Sequence, residues 1–194
     1  MPSTQKELSQ IASLFPSERK QTFSGFDASL ENVLETNLRG VRIVHFATHG
    51  IFNSNSPERS GIILSGLDES GKVKPGLLSP SVAFNTLDLL DTELVVLSGC
   101  RTGLGQNAAI REGLTGFTGG LLAAGTDRVV TSLWSVRDDA TQELMGRFYE
   151  YMLSETEPMT AAEALRAAQI SMWEDPQWQT PYYWAAFVLQ GEWQ

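Results

Sequence analysis

Three short apolar runs constrain the fold most. They are Val41-Arg42-Ile43-Val44-His45-Phe46-Ala47, Leu94-Val95-Val96-Leu97-Ser98 and Val129-Val130-Thr131-Ser132-Leu133. Runs this short and this rich in β-branched residues suit strands buried on both faces, as in a parallel sheet. Between them lie segments with the three-and-four spacing of amphipathic helices, and strands alternating with helices are solved most economically by right-handed crossovers. The chain is therefore read as an α/β three-layer sandwich, a mostly parallel central sheet flanked by helices, with Ala185-Ala186-Phe187-Val188-Leu189 as its last strand.

The helices carry local signals. Thr4 and Glu7 have capping-box spacing for a helix from about Gln5 to Leu14, with Leu8, Ile11 and Phe15 inward and Pro16 closing it. Asp27 or Ser29 can cap a second helix through Leu30, Val33, Leu34 and Leu38, ended by Gly40. Pro80 suits a first helical position before Ser81 to Thr86. A Gly- and Ala-rich helix is expected over 110–124, where Gly113, Gly116, Gly119 and Gly120 need close packing to offset their poor propensity. Asp138 or Asp139 can cap a helix carrying Leu144, Phe148, Tyr151 and Met152, and Thr160 with Glu163 forms a second capping box before Leu165, Ala168 and Met172. Between the first two strands, Gly61 to Ser65 reads as a brief strand and Asp68-Glu69-Ser70-Gly71-Lys72 as a hairpin turn, so this stretch is an antiparallel flap or insertion.

No repeat and no Ser/Gly-rich linker divides the 194 residues, so 1–194 is read as one domain. Fourteen Lys and Arg against 23 Asp and Glu give a net charge of −9, which would repel a phosphate backbone; no direct nucleic-acid partner is expected. One cysteine cannot close an internal disulfide, and the first 20 residues carry Lys6, Glu7, Glu18, Arg19 and Lys20 with no signal-peptide core. No run reaches the roughly 18 apolar residues of a membrane span. A cytoplasmic protein with no membrane association is the expectation.

Ligand crevices of such sheets lie beyond the carboxyl ends of the strands. His49 follows the first core strand, and Cys100, the only thiol, follows the second. A cysteine attacks as its thiolate, and a histidine within hydrogen-bond reach takes the proton and later protonates the leaving amine. Gly50 and Gly99 flank the pair, and the amides of Gly50 and Cys100 can form an oxyanion hole. A lone cysteine after a strand is also, commonly, a small buried hydrophobe.

Val44-His45-Phe46-Ala47-Thr48-His49-Gly50, Leu94 through Gly99-Cys100-Arg101-Thr102-Gly103-Leu104-Gly105, Ser132-Leu133-Trp134-Ser135-Val136 and Pro181-Tyr182-Tyr183-Trp184-Ala185-Ala186-Phe187 occur in this order. Together they resemble the CHAT domain, a caspase-like module related to caspases and separase and commonly fused to tetratricopeptide repeats in bacteria. The likeness runs from Pro2 to Trp193 and implies a caspase-like fold and a cysteine endopeptidase, a thiol protease without cofactor, in which His49 and Cys100 match the two catalytic positions. His45 matches none. Two departures stand out: the family commonly has Ala where Gly99 stands, and it usually carries a further strand before the segment that begins here. The chain is accordingly expected to be a domain excised from a longer multidomain protein, its partners a protein or peptide substrate and an upstream tetratricopeptide-repeat or other regulatory region.

The resemblance to separase further implies cleavage after a basic residue, with Asp138 or Asp139 as the pocket acid that pairs with it; the plainer role for Asp138 is to cap its helix. Arg101 and Arg111, near the nucleophile, can assist substrate binding or simply be solvated, and Glu112 is an unassigned carboxylate in the same neighbourhood. Cofactor binding is not expected: Gly103-Leu104-Gly105-Gln106-Asn107-Ala108 loosely fits a dinucleotide loop, but the next acid after the following strand, Asp138, lies 35 residues beyond Gly103 instead of about 20. No metal is expected either, since His45 and His49 sit in a strand pattern with Phe46 where a zinc helix needs Glu. The alternative from a different class is a latent or non-catalytic scaffold that regulates through interaction.

Overall fold

The computed structural model describes residues 2–51, 59–99 and 108–192. Strands β1 (Ile43–Phe46), β5 (Leu94–Leu97), β6 (Arg128–Ser132) and β7 (Phe187–Gly191) form a sheet in the order β1-β5-β6-β7. The first two pairings are parallel and the last antiparallel. A smaller antiparallel sheet comprises β2 (Gly50–Ile51), β3 (Gly61–Ile63) and β4 (Leu77–Leu78), which is the expected flap. Its far end closes at the expected turn, where Asp68 Oδ1 accepts from the amides of Ser70 (2.9 Å) and Lys72 (3.0 Å) and Gly71 takes the left-handed conformation, φ 82°.

Each face of the main sheet buries its own core. On one face, Leu94, Val96 and Val130 pack with Ile11 of α1 (Pro2–Ser13), with Leu144, Phe148 and Tyr149 of α5 (Asp138–Met152), and with Leu165 and Met172 of α6 (Ala161–Glu174). On the other, Phe46, Val95, Leu97 and Val129 meet Ala83 of α3 (Pro80–Thr86), Phe117 and Leu121 of α4 (Ala108–Ala123) and the strands of the flap. Leu30 and Val33 of α2 (Leu30–Glu35) pack on this second core. Strand alternation alone assigns these faces, since odd and even residues point opposite ways. The result is the three-layer sandwich expected from the sequence.

Several local expectations are corrected. The first helix begins at Pro2, so Thr4 lies inside it, and Glu7 turns away from any cap to meet His45. The second helix stops at Glu35 rather than reaching Leu38. Of the α4 glycines whose surroundings are described, Gly120 lies where a Cβ would stand 3.1 Å from the carbonyl oxygen of Pro80, whereas Gly116 and Gly119 have nothing near, so close packing accounts for one of these three; the surroundings of Gly113 lie outside the description. Helix α5 is preceded by Arg137, which makes no side-chain cap bond, and Asp138 and Asp139 fall in the first turn, where the helix dipole favours acids. The last strand begins two residues later than expected. No helix among the described residues is long and apolar enough to cross a membrane.

Ser29, Ser79 and Thr160 cap their helices through side-chain oxygens. At Thr160 the capping box is complete: its hydroxyl accepts from the Glu163 amide while the Glu163 carboxylate accepts from the Thr160 amide. Thr160→Ala removes one partner of this exposed box and is expected to cost about 1 kcal/mol. Chemical denaturation checks it: the midpoint should fall with the slope unchanged.

Candidate active site

The site grows from the pairing of β1 and β5. Ile43 faces Leu94 and Phe46 faces Leu97 in parallel register, and the amide of Ser98 continues the ladder to the carbonyl of Phe46 at 3.2 Å. Both strands therefore end level, and the segments Thr48-His49-Gly50 and Ser98-Gly99 leave the sheet side by side. His49 Nδ1 lies 3.4 Å from the carbonyl oxygen of Gly99. The two segments touch so closely that a Cβ on Gly99 would stand 2.1 Å from the carbonyl oxygen of Thr48. Glycine is required by that approach, which is the physical content of the departure from alanine at this position. Cys100 and Arg101 lie outside the described residues, as do residues 103–107 of the loose dinucleotide pattern.

The flap fixes the histidine segment from the other side. The Ile63 amide donates to the His49 carbonyl at 2.8 Å, and the Thr48 hydroxyl donates to the Ile63 carbonyl at 2.6 Å. Gly50 faces Ile62, next to that bonded pair. Hydrogen-bonded and non-bonded pairs alternate in an antiparallel ladder, so the Gly50 amide is turned away from β3.

Beneath this rim lies a pocket lined by Thr4, Glu7, Thr48, His49, Ser98, Gly99, Ser132, Val136, Asp138 and Thr141. It occupies the α1 and α5 side of the sheet, above the core that holds Leu94 and Val96. Of the two acids suggested by the sequence, the structure brings Asp138 to this pocket. Asp139 is engaged elsewhere, accepting from Arg137 Nε at 3.0 Å and from the Ala140 amide at 3.0 Å. Burial disfavours the Asp139 charge, but the Arg137 pairing and the amide outweigh it and hold this carboxyl below the ordinary range.

The loop carrying Val136 and Asp138 is tied to the C-terminal motif. Trp134 Nε1 donates to the Tyr182 carbonyl at 3.0 Å and the Tyr182 hydroxyl donates to the Ser135 carbonyl at 2.6 Å. The Arg137 guanidinium sits 5.7 Å from the Tyr183 ring centre, a cation–π contact. Two motifs distant in sequence are thus tied to one another.

Sequence reasoning missed Glu7 and the group behind it. Glu7 Oε1 lies 2.9 Å from His45 Nε2, and His45 Nδ1 lies 3.0 Å from the Tyr149 hydroxyl. Burial, with the Glu7 charge beside it, raises the Tyr149 pKa above the usual phenol range and keeps the hydroxyl protonated. The Tyr149 hydroxyl and the Glu7 carboxyl thus engage the two ring nitrogens of His45 from opposite sides. The sequence signal was present as an acid in a helix over a strand histidine, but nothing in the chain order pairs them.

A mostly parallel sheet flanked by helices, whose neighbouring strands bring His49 and Gly99 to one rim, fits the caspase-like class of α/β folds. The family model of the CHAT domain matches residues 1–192, and the chain belongs to that family, which is caspase-like and related to cysteine peptidases. No curated protein matches the chain.

Adding a methyl at Gly99 must push the two rim segments apart. Gly99→Ala is expected to destabilise the fold by about 1–3 kcal/mol, as overpacked sites do, and to slow alkylation of Cys100 by iodoacetamide. Thermal unfolding and thiol-labelling rates check both effects.

Proposed function

We propose that the protein is a cysteine endopeptidase that cleaves after a basic residue. The observation that carries the reading is the level ending of β1 and β5, which sets His49 beside Gly99, the covalent neighbour of Cys100. In this mechanism the Cys100 thiol gives its proton to the His49 imidazole and the thiolate adds to the scissile carbonyl carbon. The oxyanion is held by the amides of Gly50 and Cys100. The tetrahedral adduct collapses as His49 returns the proton to the departing amine, leaving a thioester. Water then adds, with His49 taking its proton, and the thiolate leaves as the acid product forms.

Asp138 supports the basic preference, because a carboxylate on the pocket wall beside His49 can pair with a guanidinium or ammonium group. A protein or peptide is the substrate and a tetratricopeptide-repeat or other regulatory region the partner, in a cytoplasmic setting; these follow from the family's habit and the single free thiol.

Fluorogenic peptides with Arg, Lys, Asp or Leu before the reporter test the reading. Basic substrates are expected to be cut, Cys100→Ala to abolish turnover, and His49→Ala to lower kcat by about 10²–10⁴-fold with circular dichroism unchanged. Cleavage at the parent rate by Cys100→Ala would refute the mechanism, and equal cleavage of all four peptides would refute the specificity.

A further inference from the structure

Glu7 is a buried carboxylate that the reaction steps do not use. Its side chain is 6% exposed, and the structure gives it one hydrogen-bonding partner, His45. Burying a carboxylate is costly unless it is well paired. Here the pairing is with His45, which is held in turn by Tyr149: Tyr149, fully buried between Phe15 and Phe148, orients His45, and His45 orients Glu7. Glu7 Oε1 is committed to this group, and the carboxylate stands on the wall of the pocket beneath His49.

Three further observations concern the same cavity. Asp138, exposed at the start of α5, lines it from the opposite helix, and no Lys or Arg among the described residues lines it to balance the two acids. Ser98, 3% exposed, also lines it, and its hydroxyl has no hydrogen-bond partner among the described residues. Ser98 continues the alternation of Leu94 and Val96, so its side chain points to the α1 and α5 side, into the pocket. A buried hydroxyl without a partner beside a fixed carboxylate is a place prepared for a donor.

We propose that Glu7 is the floor of the substrate side-chain pocket and, with Asp138 at the mouth, selects a guanidinium group, so that arginine is preferred to lysine before the scissile bond. The inference rests on the peptidase reading and adds to it a specificity residue, with His45 and Tyr149 as positioning residues. Arginine fits for a physical reason. Its planar fork carries five donors and is weakly hydrated, so it can bond Glu7, Ser98 and Asp138 at once while losing little solvation. An ammonium group is a compact, strongly hydrated charge with three donors. To reach Glu7 it must shed water that these acceptors replace less completely.

The test separates the pocket from the reaction. With the Cys100→Ala chain, calorimetry measures binding of n-butylguanidine and n-butylamine, which carry the end groups of Arg and Lys. The guanidine is expected to bind at least tenfold more tightly than the amine, and Glu7→Gln, which keeps an acceptor for His45, to weaken it at least tenfold. In the peptidase, Tyr149→Phe is expected to raise KM for an Arg peptide more than it lowers kcat, the mark of a displaced Glu7. No saturable guanidine binding by the folded chain, or unchanged binding in Glu7→Gln alongside loss in Asp138→Asn, would overturn the proposal. Should Glu7→Gln fail to fold, Tyr149→Phe in the Cys100→Ala chain decides: severalfold weaker guanidine binding supports the role of Glu7, and unchanged binding overturns it. Glu7-dependent binding in a chain that cuts no peptide would refute the peptidase reading while leaving the pocket in place.

Discussion

Every functional feature depends on the parallel pairing of β1 with β5. Parallel strands cannot be joined by a tight turn, so the chain spends residues 47–93 on a flap and a helix before returning as β5 beside β1. In exchange, both strands run the same way and end together, and residues 48–50 and 98–99 meet at one rim. Val95 and Val96 are fully buried and clamp β5 between the two cores. The absence of a side chain at Gly99 then lets the two exits touch backbone to backbone. Remove either the register or the glycine and the rim has no fixed geometry.

The two faces of the sheet are used differently at their upper ends. On the α3 and α4 side, apolar packing continues up to Phe46 and Leu97 at the strand ends. On the α1 and α5 side, it stops below the rim and gives way to His45, Ser98, Ser132, Thr141 and Glu7. A polar patch at the end of an apolar core would be wasteful in a purely structural sheet, since each buried polar group must recover its lost hydration. It lines the same pocket as His49, which fits the recess proposed above for a substrate side chain.

What the sequence made legible was what local chemistry determines. The complete capping box at Thr160, the proline at the start of α3 and the Asp68 turn each involve residues within a few positions of one another, and they form as read. The three core strands were legible because unbroken β-branched runs have few other uses. The misreadings at Thr4 and in α4 arise where tertiary placement overrides a local pattern. Thr4 and Glu7 have capping-box spacing, yet Glu7 pairs with His45, 38 residues away. Gly116 and Gly119 look like packing glycines by composition, but which glycine meets a backbone is decided by where α3 lies, and that is Gly120. Asp138 and Asp139 were equivalent on paper; the helix geometry turns one to the pocket and leaves the other with Arg137.

Tyr149 shows how stability and selectivity come to be coupled. Its ring packs edge-on against Phe15 at 6.2 Å and Phe148 at 5.2 Å, so it belongs to the core that joins α1 to α5. Its hydroxyl belongs to the group that orients Glu7. Helix α1 is held to this core by Ile11 and by Gln10, which lies over Gly146 of α5. Any change that loosens α1 therefore shifts a pocket wall before it disturbs the buried strands. The rim is built on the β1 and β5 pairing between two buried cores, and the recess beneath it on the helices α1 and α5. On the proposed reading, such a division lets substrate preference change through residues of α1 and α5 while the β1 and β5 exits stay fixed.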